Sequence, residues 1–244
     1  MDRVAVVTGG AGGIGAGICE VLARAGARIA IGFRDSEDKA RALAHHLPGG
    51  PHRIVRAPVT DSAALAACAR EVESTWARCD LLVNCAGTTR FVPHADLDAL
   101  PDELFDAIFT TNVRGPFATI RAFKSLLAST PGALVVNISS VAARIAMGSN
   151  IAYCASKAAV DNMTQSLARA LAPDIRVVSV APGLVETGFI TGLDPTWLAQ
   201  QRDRTALGYL ASPEQVGLAV LMAAVGLPCT TGAVLPVDGG RALM

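Results

Sequence analysis

Short apolar runs alternate with helical patterns from one end of this chain to the other, and that alternation restricts the fold more than any other feature. β-rich runs fall at residues 3–8, 27–33, 52–57, 81–84, 133–138, 175–181 and 233–237. Helical segments lie between them at 13–25, 36–47, 61–76, 101–128 (one long helix or two joined) and 151–171. A further helix opens at Ser212-Pro213-Glu214-Gln215, a capping box with proline at the first helical position. Strands separated by helices form parallel βαβ units. Strands that are apolar along their whole length need both faces covered. The expectation is an α/β protein: a single-domain, Rossmann-like doubly wound parallel sheet of about seven strands over residues 1–244, with helices on both faces.

A chain of 244 residues can bury a substantial core. With 51% hydrophobic and 17% charged residues it is not intrinsically disordered. Lys+Arg and Asp+Glu balance at 21 each, which leaves no electrostatic footprint for nucleic acid or for an anionic membrane. Met1-Asp2-Arg3 leads straight into an apolar run that stops at Thr8-Gly9-Gly10, unlike a secretory signal. The longest later apolar run, 217–227, is too short for a bilayer and reads as a buried helix. A cytoplasmic setting is expected. The six cysteines form no C-x-x-C pair, and the four histidines lie away from most of them, so no zinc site is expected.

Two constellations carry chemistry. Thr8-Gly9-Gly10-Ala11-Gly12-Gly13-Ile14-Gly15 lies between the first strand and the first helix. Glycines there let the backbone approach a pyrophosphate, and the helix start offers N–H groups and a positive dipole end. Further on, Tyr153 and Lys157 are four residues apart, on one helix face. A free tyrosine, with a pKa of about 10, is a poor base at neutral pH, and a nearby ammonium favours its phenolate. A tuned tyrosine can exchange a proton with a carbonyl or alcohol oxygen. Ser140 ends the strand run thirteen residues before Tyr153. It stands at the carboxyl end of a strand, where open α/β sheets bind ligands. Ser139, one residue off this register, is expected to point elsewhere.

Thr-Gly-x-x-x-Gly-Ile-Gly at Thr8 to Gly15 resembles the short-chain dehydrogenase/reductase family. Similar stations follow in order: Asn84-Cys85-Ala86-Gly87, Asn112 within Thr-Thr-Asn-Val, and then Ser140, Tyr153 and Lys157. Pro182-Gly183-Leu184-Val185-Glu186-Thr187 and Val237-Asp238-Gly239-Gly240 complete the series. The whole pattern is most similar to 3-oxoacyl-(acyl-carrier-protein) reductase-like members. The resemblance implies a nicotinamide dinucleotide held by Thr8, Gly9, Gly13, Ile14, Gly15, Phe33, Arg34, Val59, Asn84, Ala86, Gly87, Tyr153, Lys157, Pro182, Gly183, Val185 and Thr187. It implies hydride transfer with Tyr153 as acid/base and Ser140 orienting the substrate oxygen. Lys157 would bind the nicotinamide ribose and lower the Tyr153 pKa. Asn112 would hold a helix bend and a water of the proton relay.

In the family register, Phe33 stands where NAD-dependent members carry aspartate, and Arg34 follows as in NADP-dependent ones. NADP(H) is therefore favoured over NAD(H), although Asp35 adjoins Arg34 and Gly12 offers no basic side chain. Pro58-Val59 replaces the usual Asp-Val, which leaves the Val59 backbone or Asp61 to meet the adenine. Ala172-Pro173-Asp174 replaces a basic entrance and speaks against an acyl carrier protein partner. The candidate pocket residues Val141, Met147, Leu184, Phe189, Ile190 and Trp197 are mostly apolar and suit an unbranched or cyclic ketone. Residues 186–210 have weak periodicity and read as a substrate flap. The expected function is NADP(H)-dependent reduction of a ketone or 3-oxoacyl thioester to the secondary alcohol. The alternatives are NAD-dependent oxidation of a secondary alcohol, sugar or steroid, and a non-catalytic dinucleotide sensor. By the same resemblance, a homotetramer forms through the two long helices and the C-terminal end.

Overall fold

The computed structural model describes residues 3–188, 192 and 194–243. Seven parallel strands form one sheet in the order β3-β2-β1-β4-β5-β6-β7. They are β1 (Val4–Thr8), β2 (Arg28–Phe33), β3 (Arg53–Arg56), β4 (Leu81–Asn84), β5 (Ala133–Ile138), β6 (Ile175–Pro182) and β7 (Val234–Val237). The order reverses between β1 and β4, which opens a crevice at the carboxyl ends of those two strands.

Alternation within the strands builds two cores. Ala5 and Val7 of β1 face one layer, with Ile29 and Ile31 of β2, and pack against α1 (Gly13–Arg24) and α9 (Pro213–Val225). Val4 and Val6 face the other layer, with Leu82, Val135 and Val177, and pack against α3 (Ser62–Trp76) and α5 (Gly115–Ala128). The remaining helices are α2 (Glu37–His46), α4 (Asp102–Phe109), α6 (Ala142–Ile145), α7 (Ile151–Leu171) and α8 (Pro195–Asp203). The capping box at Ser212 is formed in both directions with Gln215.

The 101–128 segment is the joined pair of helices, with a π-helical turn, Thr110–Arg114, between α4 and α5. Two features depart from the sequence expectations. A helix, α8, forms inside the 186–210 segment, where Asp194 caps Pro195 at its first position and accepts from the Thr196 N–H. The apolar 217–227 run is only half buried: Leu218, Met222 and Val225 are exposed on the outer side of α9.

Candidate active site

Parallel pairing aligns the strand ends. Thr8, Asn84, Asn137 and Ser179 occupy one row across β1, β4, β5 and β6. Above this row lies a cleft of about 800 Å³. Its walls include Gly9, Gly13, Ile14, Gly15, Phe33, Arg34, Val59, Ala86, Gly87, Tyr153, Lys157 and Thr187, all expected cofactor contacts.

The glycine turn is shaped for close approach. Gly9 adopts φ +65°, where an L side chain is strained, and a Cβ there would meet Ala86 Cα at 2.9 Å. A Cβ on Gly15 would collide with the Gly9 carbonyl oxygen. Gly12 caps α1 without a side-chain bond and no acidic residue occupies the first turn, so the helix start is left to the cleft. The pyrophosphate expected here therefore fits the residues present.

The catalytic candidates come together from two elements. Ser140, just past β5, lies 9% exposed beside the Tyr153 phenol from α7. Burial pushes the phenol above its ordinary value, and the Ser140 bond works against that rise. The Lys157 ammonium stands 5.7 Å from the phenol ring centroid and donates to the Ile138 carbonyl at 2.8 Å. Burial lowers its own pKa to about 8, with Cys85 and Asp161 pulling the other way. Ser139 borders the cleft, but its hydroxyl turns to the Lys157 carbonyl at 3.4 Å.

Asn112 sits in the π-helical turn and clamps the loop after β4. Its Oδ1 accepts from the Thr88 N–H at 2.8 Å, and its Nδ2 donates to the Thr88 carbonyl at 3.0 Å and to Ser156 Oγ at 3.2 Å. The extra residue of a π turn re-aims the helix so that this side chain reaches the loop.

Other residues serve the site indirectly. The Thr8 hydroxyl, 1% exposed, accepts from the N–H groups of Cys85 and Ala86 at 3.2 and 3.3 Å and so sets the turn beside the cleft. Asn84 does not turn its amide to the cleft: it is 3% exposed and its Nδ2 donates to Asn137 Oδ1 at 2.9 Å. Pro182 and Gly183 extend the strand pairing, accepting from Val141 N at 2.8 Å and donating to the Val237 carbonyl at 3.0 Å respectively. Val185 forms a bridge with Ala211. Asp61 caps α3, its Oδ1 accepting from Ala63 N and Ala64 N.

The substrate candidates disperse. Val141 is buried, Leu184 is half-buried, and Met147 and Trp197 are exposed. Phe189 and Ile190 lie outside the described residues. Thr187 packs on the glycine turn: a Cβ on Gly13 would meet Thr187 Cβ and Cγ2, each at 2.8 Å. The start of the 186–210 segment thus lies against the helix that begins the cleft, and Arg202 of α8 pairs with Glu186 at 3.0 Å.

The sequence reading missed two contributors. Lys39 of α2 lines the cleft beside Arg34, Asp35 and Ser36. Its position two residues into a helix that follows Arg34 was the available signal. Asn150, wholly buried, caps α7 by accepting from Tyr153 N at 2.7 Å. Its Nδ2 donates to the Arg90 carbonyl at 2.7 Å and to Thr89 Oγ1 at 3.2 Å. Asparagine directly before a helix was the signal there.

The comparisons with known proteins agree with this geometry. A family model described as Enoyl-(Acyl carrier protein) reductase matches residues 9–242. The chain is 37% identical over 243 residues to the "Granaticin polyketide synthase putative ketoacyl reductase 2" of Streptomyces violaceoruber, covering 99% of this chain and 96% of that protein. It is 35% identical over 244 residues to the cis-4-hydroxycyclohexanecarboxylate dehydrogenase of Sinomonas cyclohexanicum, covering 98% and 96%. The crystal structure of a dehydrogenase/reductase from Sinorhizobium meliloti 1021 superposes with a TM-score of 0.90 at 33% identity, covering 98% of this chain and 94% of that one.

Proposed function

The chain belongs to the short-chain dehydrogenase/reductase family of enzymes acting on CH–OH and C=O groups, and from that premise we propose that it reduces a ketone or 3-oxoacyl thioester to the secondary alcohol with NADP(H). The observation that carries this reading is the convergence of Ser140, Tyr153 and Lys157 at the cleft. The bound dinucleotide supplies the hydride. Tyr153 supplies the proton to the substrate oxygen, and burial keeps its phenol protonated, the state that reduction needs. Ser140, beside the phenol, orients the same oxygen. Lys157 holds positive charge beside both groups and reaches the ribose; Asn112 keeps the loop at Thr88 in place. Val185 and Thr187 would hold the nicotinamide amide, and the 186–210 segment would serve as the substrate flap.

The NADP(H) preference draws on Arg34 and Lys39, two cations at the β2 end of the cleft. One observation favours the alternative, NAD(H)-dependent oxidation of a secondary alcohol, sugar or steroid: Asp35 already occupies Arg34 in an ion pair. The apolar candidates Val141, Met147, Leu184 and Trp197 support an apolar ketone, and the exposed Ala172-Pro173-Asp174 turn offers a carrier protein no cation.

Tyr153→Phe tests the chemistry. Turnover should fall by roughly 10²–10⁴ while dinucleotide affinity, measured by fluorescence titration, stays within a few-fold. Turnover close to the parent protein on a panel of ketones and acyl thioesters would remove the phenol from the mechanism. Binding of dinucleotide without turnover by the parent itself would make the chain a sensor.

A further inference from the structure

Beneath the cleft, buried side chains form a hydrogen-bond chain that the reaction described above does not use. Asn84 Nδ2 donates to Asn137 Oδ1 at 2.9 Å, and Asn137 Nδ2 donates to Thr164 Oγ1 at 2.8 Å. Thr164 and Ser179 share a hydrogen bond of 2.9 Å between their hydroxyls. Asn137, Thr164 and Ser179 are wholly buried. Because Thr164 receives a proton from Asn137, its own proton is free to go to Ser179, and the Ser179 proton must find another acceptor. Burial pushes the Asp161 carboxyl up, and the Ser139 and Ser179 hydroxyls nearby work against that rise.

Asp161 lies one helical turn beyond Lys157, and Lys157 one turn beyond Tyr153, so the three follow one another along a single face of α7. Asp161 Oδ1 is buried without a hydrogen-bond partner. Lys157 is only 7% exposed and gives one proton to the Ile138 carbonyl, which leaves two N–H groups for other acceptors. A buried ammonium needs a compensating anion nearby.

We propose that Asp161 is a positioning residue for the reaction: the half-buried counter-charge on the Lys157 face of α7, beside the Asn84–Asn137–Thr164–Ser179 chain, that keeps Lys157 an ammonium beneath the cleft. The groups facing Lys157 are Tyr153 and Asp161 on its own helix, Ile138 and Ser139 at the end of β5, and Cys85 after β4. Burial pushes the Cys85 thiol up to about 12, so it is neutral where the enzyme works. Asp161 is the carboxylate of this group, and its attraction opposes the desolvation that drives Lys157 down. The inference rests on Lys157 belonging to the reacting group.

The chain has three lysines, and two of them, Lys39 and Lys124, are exposed. A ¹³C-lysine NMR titration of the protein without dinucleotide therefore reads Lys157 directly. In the parent, the Lys157 resonance should titrate near pH 8. Asp161→Asn should move that midpoint acidward by about one unit, a tenfold loss of proton affinity. Asp161→Glu should restore it. The alkaline limb of kcat/KM should move with it. An unchanged Lys157 midpoint in Asp161→Asn overturns the inference, as does a lower melting temperature with superimposable pH profiles. If Asp161→Asn does not fold, the parent decides: protonation of Asp161 at acid pH should appear as a second small step at the Lys157 resonance, and a single step overturns the proposal. Full turnover in Lys157→Met would instead refute the reading of the site, leaving the Lys157–Asp161 coupling to stand or fall on the NMR.

Discussion

Lys157 shows what a single residue contributes and costs. An unfolded chain binds its proton up to an ordinary lysine pKa of 10.5, whereas the folded chain releases it near 8. Between those values the unfolded state holds more protons, so folding stability attributable to this group rises with pH and is lowest below pH 8. The penalty at neutral pH is on the order of 3 kcal/mol. Lys157→Met should therefore stabilise the dinucleotide-free protein at pH 7 by about 1–2 kcal/mol, once the lost bond to Ile138 is allowed for. Urea unfolding at pH 7 and pH 9.5 checks it: the advantage over the parent should shrink at the higher pH. Arg34 is the opposite case, an exposed group whose effect belongs to binding. Its pair with Asp35 is solvated and worth little to stability. Arg34→Asp should leave the melting temperature within about a degree or two while reversing the NADPH/NADH ratio of kcat/KM. A ratio unchanged by this substitution would shift recognition to Lys39.

Among the elements, α7 does the most for the site, and its start is held by Asn150. That residue joins three things that are far apart in the chain: the helix N-terminus, the Arg90 carbonyl and the Thr89 hydroxyl. Asn150→Ala removes a cap and leaves a buried carbonyl without its donor. The expected loss is about 2 kcal/mol of stability, with turnover falling more than dinucleotide affinity, because Tyr153 sits in the first turn. Chemical denaturation together with a kcat-against-KM comparison reads both; a stability loss with unaltered kcat would make Asn150 a cap and nothing more. The π turn at Asn112 teaches a related lesson. A 3.6-residue pattern continues through 101–128, so periodicity alone gives no sign of the extra residue. The tie from Asn112 to Thr88 becomes apparent only when β4 and α5 are side by side.

At the scale of the whole molecule, two of the apolar surfaces outside the cores, among the described residues, bear on assembly. One is a recess of about 370 Å³ between α4, α5 and α7, lined by Phe109, Val113, Phe117 and Met163. The other is the stripe of Leu218, Met222 and Val225 on α9. A dihedral tetramer, which the family resemblance implies, needs two separate patches, each meeting its own copy. Met222→Glu should halve the assembly and Phe117→Glu should halve it along the other interface, each read by light scattering. Unchanged mass in both variants would dismiss the tetramer.

How much was legible in advance differs with range. The alternation of apolar runs with helical patterns determined the parallel sheet, because period and length are local properties that strands and helices impose on sequence. The glycine turn, the Ser140 position and the spacing of Tyr153 and Lys157 were equally local, and family resemblance tied them together. Tertiary structure alone decided which side chains spend their polar atoms elsewhere. Asn84 turns inward to Asn137, Asp61 caps its own helix, and Ser140 opposes the rise that burial imposes on the Tyr153 phenol. It also decided that Asp161 stands behind Lys157 with Ser139 and Ser179 facing it. Those outcomes depend on desolvation and on hydrogen bonds between strands dozens of residues apart, and both exist only once the sheet has closed.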